Sequence, residues 1–296
     1  MSKRGWILFL SLGVLWGMPY LLIRIAVAHY DPLMVAGTRT LIGSLLLLPV
    51  ALHRKSLGPA FRQWKWLIAF TLVEITIPWV LLGHAEKSLN SSTAGLLIAA
   101  VPLIAAVIIT RLGHERLEPR RLFGLCLGFA GVALLVGLDI DLSNFGAVAA
   151  TMLTAIGYAI GPIIIDRKLK DVPALGVITA SLIVATLMYA PFAPMLWPSH
   201  FDANAAGAVL GLGVLCTAAA FMVFFALIAE VGPARATVIT YINPAVAIIL
   251  GALVLKEPLT IGMAIGFPLV ILGAILGTTR VRKATPTPAV ASPAVE

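Results

Sequence analysis

The sequence predicts an all-α integral membrane protein, ten transmembrane helices arranged as two inverted five-helix repeats. Three observations carry this expectation. Of its 296 residues, 60% are hydrophobic and 11% charged, with a mean hydropathy of +1.03; so little polar surface cannot cover a soluble core. Apolar runs recur along the chain at the length of about 20 residues that a bilayer core of about 30 Å demands of a helix, whereas spanning strands would show about ten residues of alternation. Finally, one stretch is used twice. Residues 102–115 read PLIAAVIITRLGHE and residues 244–257 read PAVAIILGALVLKE, so Pro102 and Glu115 recur as Pro244 and Glu257 at an offset of 142. At that offset Leu117, Gly124 and Gly131 fall on Leu259, Gly266 and Gly273, the self-similarity of a tandem repeat.

The expected spans lie at roughly 5–28, 33–52, 64–83, 91–110, 117–137, 144–165, 173–193, 206–228, 234–253 and 259–279. The first follows MSKRG, and its run to about Ala28 is too long for the apolar region of a cleaved signal. Breaks between spans carry turn chemistry: Asp31-Pro32, Asn90-Ser91-Ser92, Pro173 and Pro198-Ser199. The repeats are placed at 5–137 and 144–279, with 285–296 a disordered, proline-bearing cytoplasmic tail. Cys126 and Cys216 lie in apolar runs and read as buried thiols.

Charge orients the chain. A net charge of +8 would suggest nucleic acid in a soluble protein; between apolar runs it indicates loops facing cytoplasm and anionic lipid, with no nucleic-acid partner. With the amino terminus cytoplasmic, the inner side collects Lys3, Arg4, Arg54, Lys55, Arg62, Lys65, Arg111, Arg116, Arg120, Arg121, Arg167, Lys168, Lys170, Arg235, Arg280, Arg282 and Lys283. The outer side keeps Lys87 and Lys256, the asymmetry of the positive-inside rule. Both termini are therefore placed in the cytoplasm. Five helices per copy is an odd number, so the second copy enters from the opposite face. Such inverted repeats are the architecture of secondary transporters, which bind their substrate between the halves.

Candidate site residues are those whose chemistry needs explaining inside lipid. Glu74, ten residues into the third span, costs on the order of 3 kcal/mol there unless it faces a cavity or a partner; it is a candidate protonatable site, with protons as a second partner. Trp16 and Trp79 sit midway along their spans, and the repeat offset carries them onto Tyr158 and Phe221. With Tyr241 and Asn243 they form a candidate cavity lining, because Trp and Tyr otherwise favour interfaces, as expected of Trp6, Trp64, Trp66 and Trp197. Pro78, Pro102 and Pro244 each remove a ladder hydrogen bond, freeing a carbonyl for substrate and kinking a helix. Glu115 and Glu257 are expected to cap the helix that follows each. Arg24 is expected to snorkel, and Arg39 to pair with Asp31 or Glu74. The glycines of the fifth and tenth spans read as close helix packing. No HExxH, GxSxG or GKS/T sequence is present, so neither an enzyme nor a cofactor or metal site is expected.

Leu15-Trp16-Gly17, the paired proline-to-glutamate stretches and the spacing of Gly124 to Gly131 and Gly266 to Gly273 resemble the EamA-type branch of the drug/metabolite transporter superfamily, over about residues 5–279. Within it the chain looks most like bacterial aromatic amino-acid exporters. The resemblance implies ten helices, alternating access and outward movement of amino acids or related small metabolites. Many relatives carry a lysine where this chain has Arg24. Two other readings stand beside it: efflux of amphipathic cations or drugs with Glu74 as counter-charge, and a membrane scaffold that transports nothing.

Overall fold

The computed structural model describes residues 2–112, 119–139, 144–232, 239 and 242–278. Every regular element among the described residues is helical, as lipid demands of a chain that must satisfy its own backbone groups. In chain order the main helices are α1 (Lys3–Val27), α2 (Pro32–His53), α3 (Trp64–Ala85), α4 (Ser91–Arg111), α5 (Pro119–Asp139), α6 (Phe145–Leu169), α7 (Ala174–Leu196), α8 (Ala203–Val231), α9 (Asn243–Val254) and α10 (Ile261–Thr278). Seven of them, α1 to α4 and α6 to α8, are long and apolar enough to cross a membrane; the described apolar stretches of α5, α9 and α10 are shorter. A surface turn of helix, Leu57–Arg62, joins α2 to α3 and was not expected from the sequence.

The helix starts follow local chemistry. The Ser2 hydroxyl accepts from the Gly5 amide, Asp31 from Leu33 and Asp202 from Ala205, each supplying an acceptor to amides that lack one in the first turn. Pro32 sits at the first position of α2, where its missing N–H costs nothing. The same reason corrects an expectation about Pro102 and Pro244. Neither kinks a continuous helix. A turn at Ala99-Ala100 interrupts α4, with Pro102 in the first turn of its second segment, and Pro244 stands in the first turn of α9. The expected span 234–253 is seen from Asn243 onward; 233–238, 240 and 241 lie outside the described residues, as do Glu115 and the tail 285–296.

Two helices change pitch at corresponding places. α3 contains a π segment at Thr71–Thr76 and α8 one at Val214–Ala219. Displaced by the repeat offset, the first falls within one residue of the second. Both are buried among neighbouring helices, where an irregular ladder is tolerated.

The helix contacts obey the same symmetry. α3 packs on α6, and α1, the counterpart of α6, packs on α8, the counterpart of α3. The pairs α2 with α7, α4 with α9 and α5 with α10 map onto themselves. This is the pattern of two copies related by a twofold axis. At the α5–α10 seam a Cβ on Gly131 would meet the Gly266 carbonyl at 2.9 Å, and one on Gly273 would meet the Gly124 carbonyl at 2.6 Å, contacts that exchange when the halves are exchanged. The glycines thus give the close approach that lipid-embedded helices need, where no hydrophobic force drives them together. Cys216 is buried as expected, but Cys126 is exposed, so an apolar run did not imply burial within protein.

Candidate functional site

The π segment of α8 holds a buried arginine. Arg39, from α2, is 8% exposed. Its Nε–H donates to the Thr217 hydroxyl of the α8 π segment at 2.9 Å, and Thr217 donates to the Leu212 carbonyl five residues back at 2.8 Å. The guanidinium carbon lies 3.6 Å from the centre of the Trp79 ring, a cation–π arrangement. Tyr20, Tyr158 and Tyr189 are near enough to interact with its charge. Tyr189 donates its hydroxyl hydrogen to the Thr76 carbonyl at 2.7 Å, which satisfies the end of the other π segment. The expected pairing of Arg39 with Asp31 or Glu74 is not made. Asp31 caps α2, and Glu74 points elsewhere. Among the described residues no carboxylate forms an ion pair with Arg39.

The expected aromatic set is largely brought together, by crossed pairs. Trp16 meets Phe221 edge-on at 5.9 Å between ring centres, and Trp79 and Tyr158 pack in one cluster. Exchanging the halves carries the first pair onto the second. Phe221 joins the buried cluster that includes Trp79 and Tyr158, and Trp16 also packs on Phe224 at 4.8 Å. Pro78 is buried, and its own carbonyl accepts from the Thr154 hydroxyl at 3.3 Å; the carbonyl its missing N–H leaves free lies a turn earlier, in the π segment. Asn243 lies beside Gly17, one residue from Trp16, and its Oδ1 is buried without a hydrogen-bond partner among the described residues; Pro244 is buried next to it. Pro102 stands apart, beside Leu103 in the cluster formed with α5 and α10. Tyr241 lies outside the described residues.

Glu74 occupies the α3 π segment with its Oε2 enclosed and, among the described residues, unpartnered. Its carboxyl fills the space that a side chain at Gly161 of α6 would take, a close fit that only glycine permits.

A second polar group lies where α3 ends, and the sequence alone did not single it out. Glu86 is fully buried, with neither carboxylate oxygen hydrogen-bonded among the described residues. Burial pushes its carboxyl well above the usual carboxylate range, while the Arg24 guanidinium opposes the rise and Glu257 adds to it. Arg24, partly exposed, reaches the end of α3 and donates through Nη1 to the Glu86 carbonyl. Glu257 does cap a helix, but not the following one. It accepts from the amides of Ser91 and Ser92 at 2.8 and 3.0 Å and from the Ser92 hydroxyl at 2.5 Å, holding the start of α4 in the first half from the second. The signal for Glu86 was present: an acid three residues beyond an apolar span.

A multi-pass helical protein whose two halves exchange their contacts, with polar and aromatic groups collected between them on irregular backbone, has the build of a secondary transporter. The chain belongs to the EamA-like transporter family, whose model matches residues 3–137 and again 145–279. It is similar to "Uncharacterized transporter YvbV" of Bacillus subtilis (strain 168), 27% identical over 291 residues, covering 94% of this chain and 93% of that protein. It is also similar to "Uncharacterized inner membrane transporter YedA" of Escherichia coli (strain K12), 29% identical over 249 residues and covering 81% and 79% of the two chains. A crystal structure at 19% identity superposes with a TM-score of 0.67, covering 94% of this chain and 97% of the other, a likeness of fold.

Proposed function

We propose that this transporter works by alternating access and exports amino acids with aromatic or other apolar side chains, or related small metabolites, across a bacterial inner membrane. In this reading ten helices span the bilayer as two inverted repeats, 5–137 and 144–279, with both termini in the cytoplasm. The observation that carries it is the pair of crossed aromatic neighbours, Trp16 on Phe221 and Trp79 packed with Tyr158, between halves whose helices lose regular pitch beside them. Aromatic faces receive an indole or phenyl ring, and the unpartnered Asn243 Oδ1 is the acceptor offered to an ammonium group. Trp16, Glu74, Pro78, Trp79, Tyr158, Phe221, Tyr241, Asn243 and Pro244 form the site, with Pro102 marking the hinge in α4.

The test is counterflow in proteoliposomes preloaded with unlabelled L-phenylalanine. Saturable uptake of labelled L-phenylalanine, competed by aromatic and large apolar amino acids, is expected. Flux at channel rates, or competition by cationic dyes but not by amino acids, overturns the reading. Orientation is checked with single cysteines at positions 87 and 167 and an impermeant thiol reagent added to intact cells: position 87 reacts and position 167 does not.

A further inference from the structure

We propose that Arg39 binds the carboxylate of the transported molecule, so that the site takes apolar carboxylates, amino acids among them, and rejects cations that lack an acid group. This deepens the reading of the central site as the transport site and rests on it.

The argument begins with charge. A guanidinium is not deprotonated in proteins, and a buried charge left without a counter-ion is costly. At 8% exposure, Arg39 has as partners one hydroxyl, that of Thr217, and the face of Trp79. Neither carries negative charge. The three tyrosines around it do not supply one, since a phenol is neutral at physiological pH, and Tyr189 has already committed its hydrogen to the Thr76 carbonyl. The acids nearest in sequence position are spoken for: Asp31 caps α2 and the Glu74 carboxyl is wedged against Gly161. Glu86 is the described acid whose carboxyl feels the Arg39 charge, but burial drives it toward its neutral form and it makes no ion pair with Arg39. Positive charge is therefore built into the site and, among the described residues, left without an ion-pair partner.

Geometry then selects the ligand. The Nε edge is held by Thr217 and one face by Trp79, which fixes the plane of the guanidinium. No described residue takes a hydrogen bond from its Nη groups. A planar fork held on one edge and open on the other matches a carboxylate, which accepts two parallel hydrogen bonds from it. The indole and tyrosine rings beside the fork suit the apolar remainder of such a molecule. Position completes the case. Arg39 and Trp79 belong to the first half, Thr217, Tyr158 and Tyr189 to the second, so a carboxylate bound here contacts both halves and senses their relative movement.

Three indole compounds separate the groups at issue: L-tryptophan, 3-indolepropionate, which has the carboxylate without the amine, and tryptamine, which has the amine without the carboxylate. Each is titrated against the full-length purified protein, with ligand-induced thermal stabilisation as the readout. The two acids are expected to stabilise the wild type and tryptamine not to. Arg39→Gln weakens binding of 3-indolepropionate by at least about tenfold. Arg39→Lys keeps the preference for acid over amine at lower affinity, because a point charge does not reproduce the fork. The wild-type panel and the lysine variant decide the matter even if the glutamine variant does not fold. Tryptamine binding as tightly as the acids, no stabilisation by either acid, or a folded Arg39→Gln protein that binds 3-indolepropionate within twofold of wild type each overturns the proposal. Arg39-dependent binding of 3-indolepropionate without binding of L-tryptophan leaves the carboxylate site standing and defeats the amino-acid reading instead.

Discussion

The π segments of α3 and α8 occupy equivalent places in the two halves, yet they carry different chemistry. In α3 the segment bears Glu74, whose carboxyl is enclosed against Gly161. In α8 it bears Cys216 and Thr217, and Thr217 holds Arg39. Duplication has preserved the backbone irregularity while the side chains have diverged, which indicates that the change of pitch is a requirement of the fold and the polar groups are what each half adds to it. The packing differs as well. The α3 segment is approached by Gly157 of α6, next to the Val73 carbonyl, whereas the α8 segment is approached by Gly43 of α2, where an added Cβ would meet the Thr217 methyl at 2.6 Å. Main chain cannot move aside as a side chain can.

That difference predicts unequal costs. Gly157→Ala drives a methyl into the Val73 carbonyl and should destabilise the protein by about 3 kcal/mol, the upper part of the range for overpacking, read as a lowered unfolding temperature in detergent. Gly43→Ala should cost about 1–2 kcal/mol, and Thr217→Ser in the same chain should recover most of it, because serine lacks the methyl and keeps the hydroxyl that Arg39 needs. Equal losses for the two glycine variants, or no recovery with serine, would break the comparison.

Smaller effects bear on the acids. For Glu86, burial raises the carboxyl above its unfolded value, so the native state holds a proton that the unfolded chain releases first. Stability is then full below the ordinary carboxylate range, about pH 4, and declines as pH rises toward the folded value. Wild-type unfolding temperature should fall across that interval, and Glu86→Gln should flatten the decline. The smallest effect is expected at Glu74. Without a partner to lose, Glu74→Gln keeps the shape of the enclosed side chain, and counterflow should stay within twofold of wild type. Loss of acceleration by an imposed pH gradient in this variant alone would instead make Glu74 a coupling site.

Much of the proposed site is legible in the sequence. Trp16, Trp79, Tyr158 and Phe221 stand out because repeat symmetry and mid-span aromatics are both written in one dimension. The symmetry does not say that the contacts cross, Trp16 to Phe221 and Trp79 to Tyr158, since that depends on which helix of one half lies against which of the other. Arg39 is visible as a basic residue in an apolar helix, but local reasoning assigns it the acids closest in sequence or depth. Its hydrogen-bond partner lies 178 positions away. Pro102 and Pro244 mislead for a related reason: a proline in an apolar run reads as a kink, and only the backbone reveals that the helix begins there.

Sequence by itself determined the helical membrane class, the duplication and the approximate spans, because lipid leaves the backbone no alternative to internal hydrogen bonding and the required length is set by the bilayer. Tertiary structure decided the rest. Glu257 reaches Ser91 and Ser92 across the halves, and Arg39 meets Thr217 and Trp79 rather than an acid. Such partners follow from how close two helices come, and that distance is fixed by packing at a few small residues, a property of pairs of helices that no single run of sequence contains.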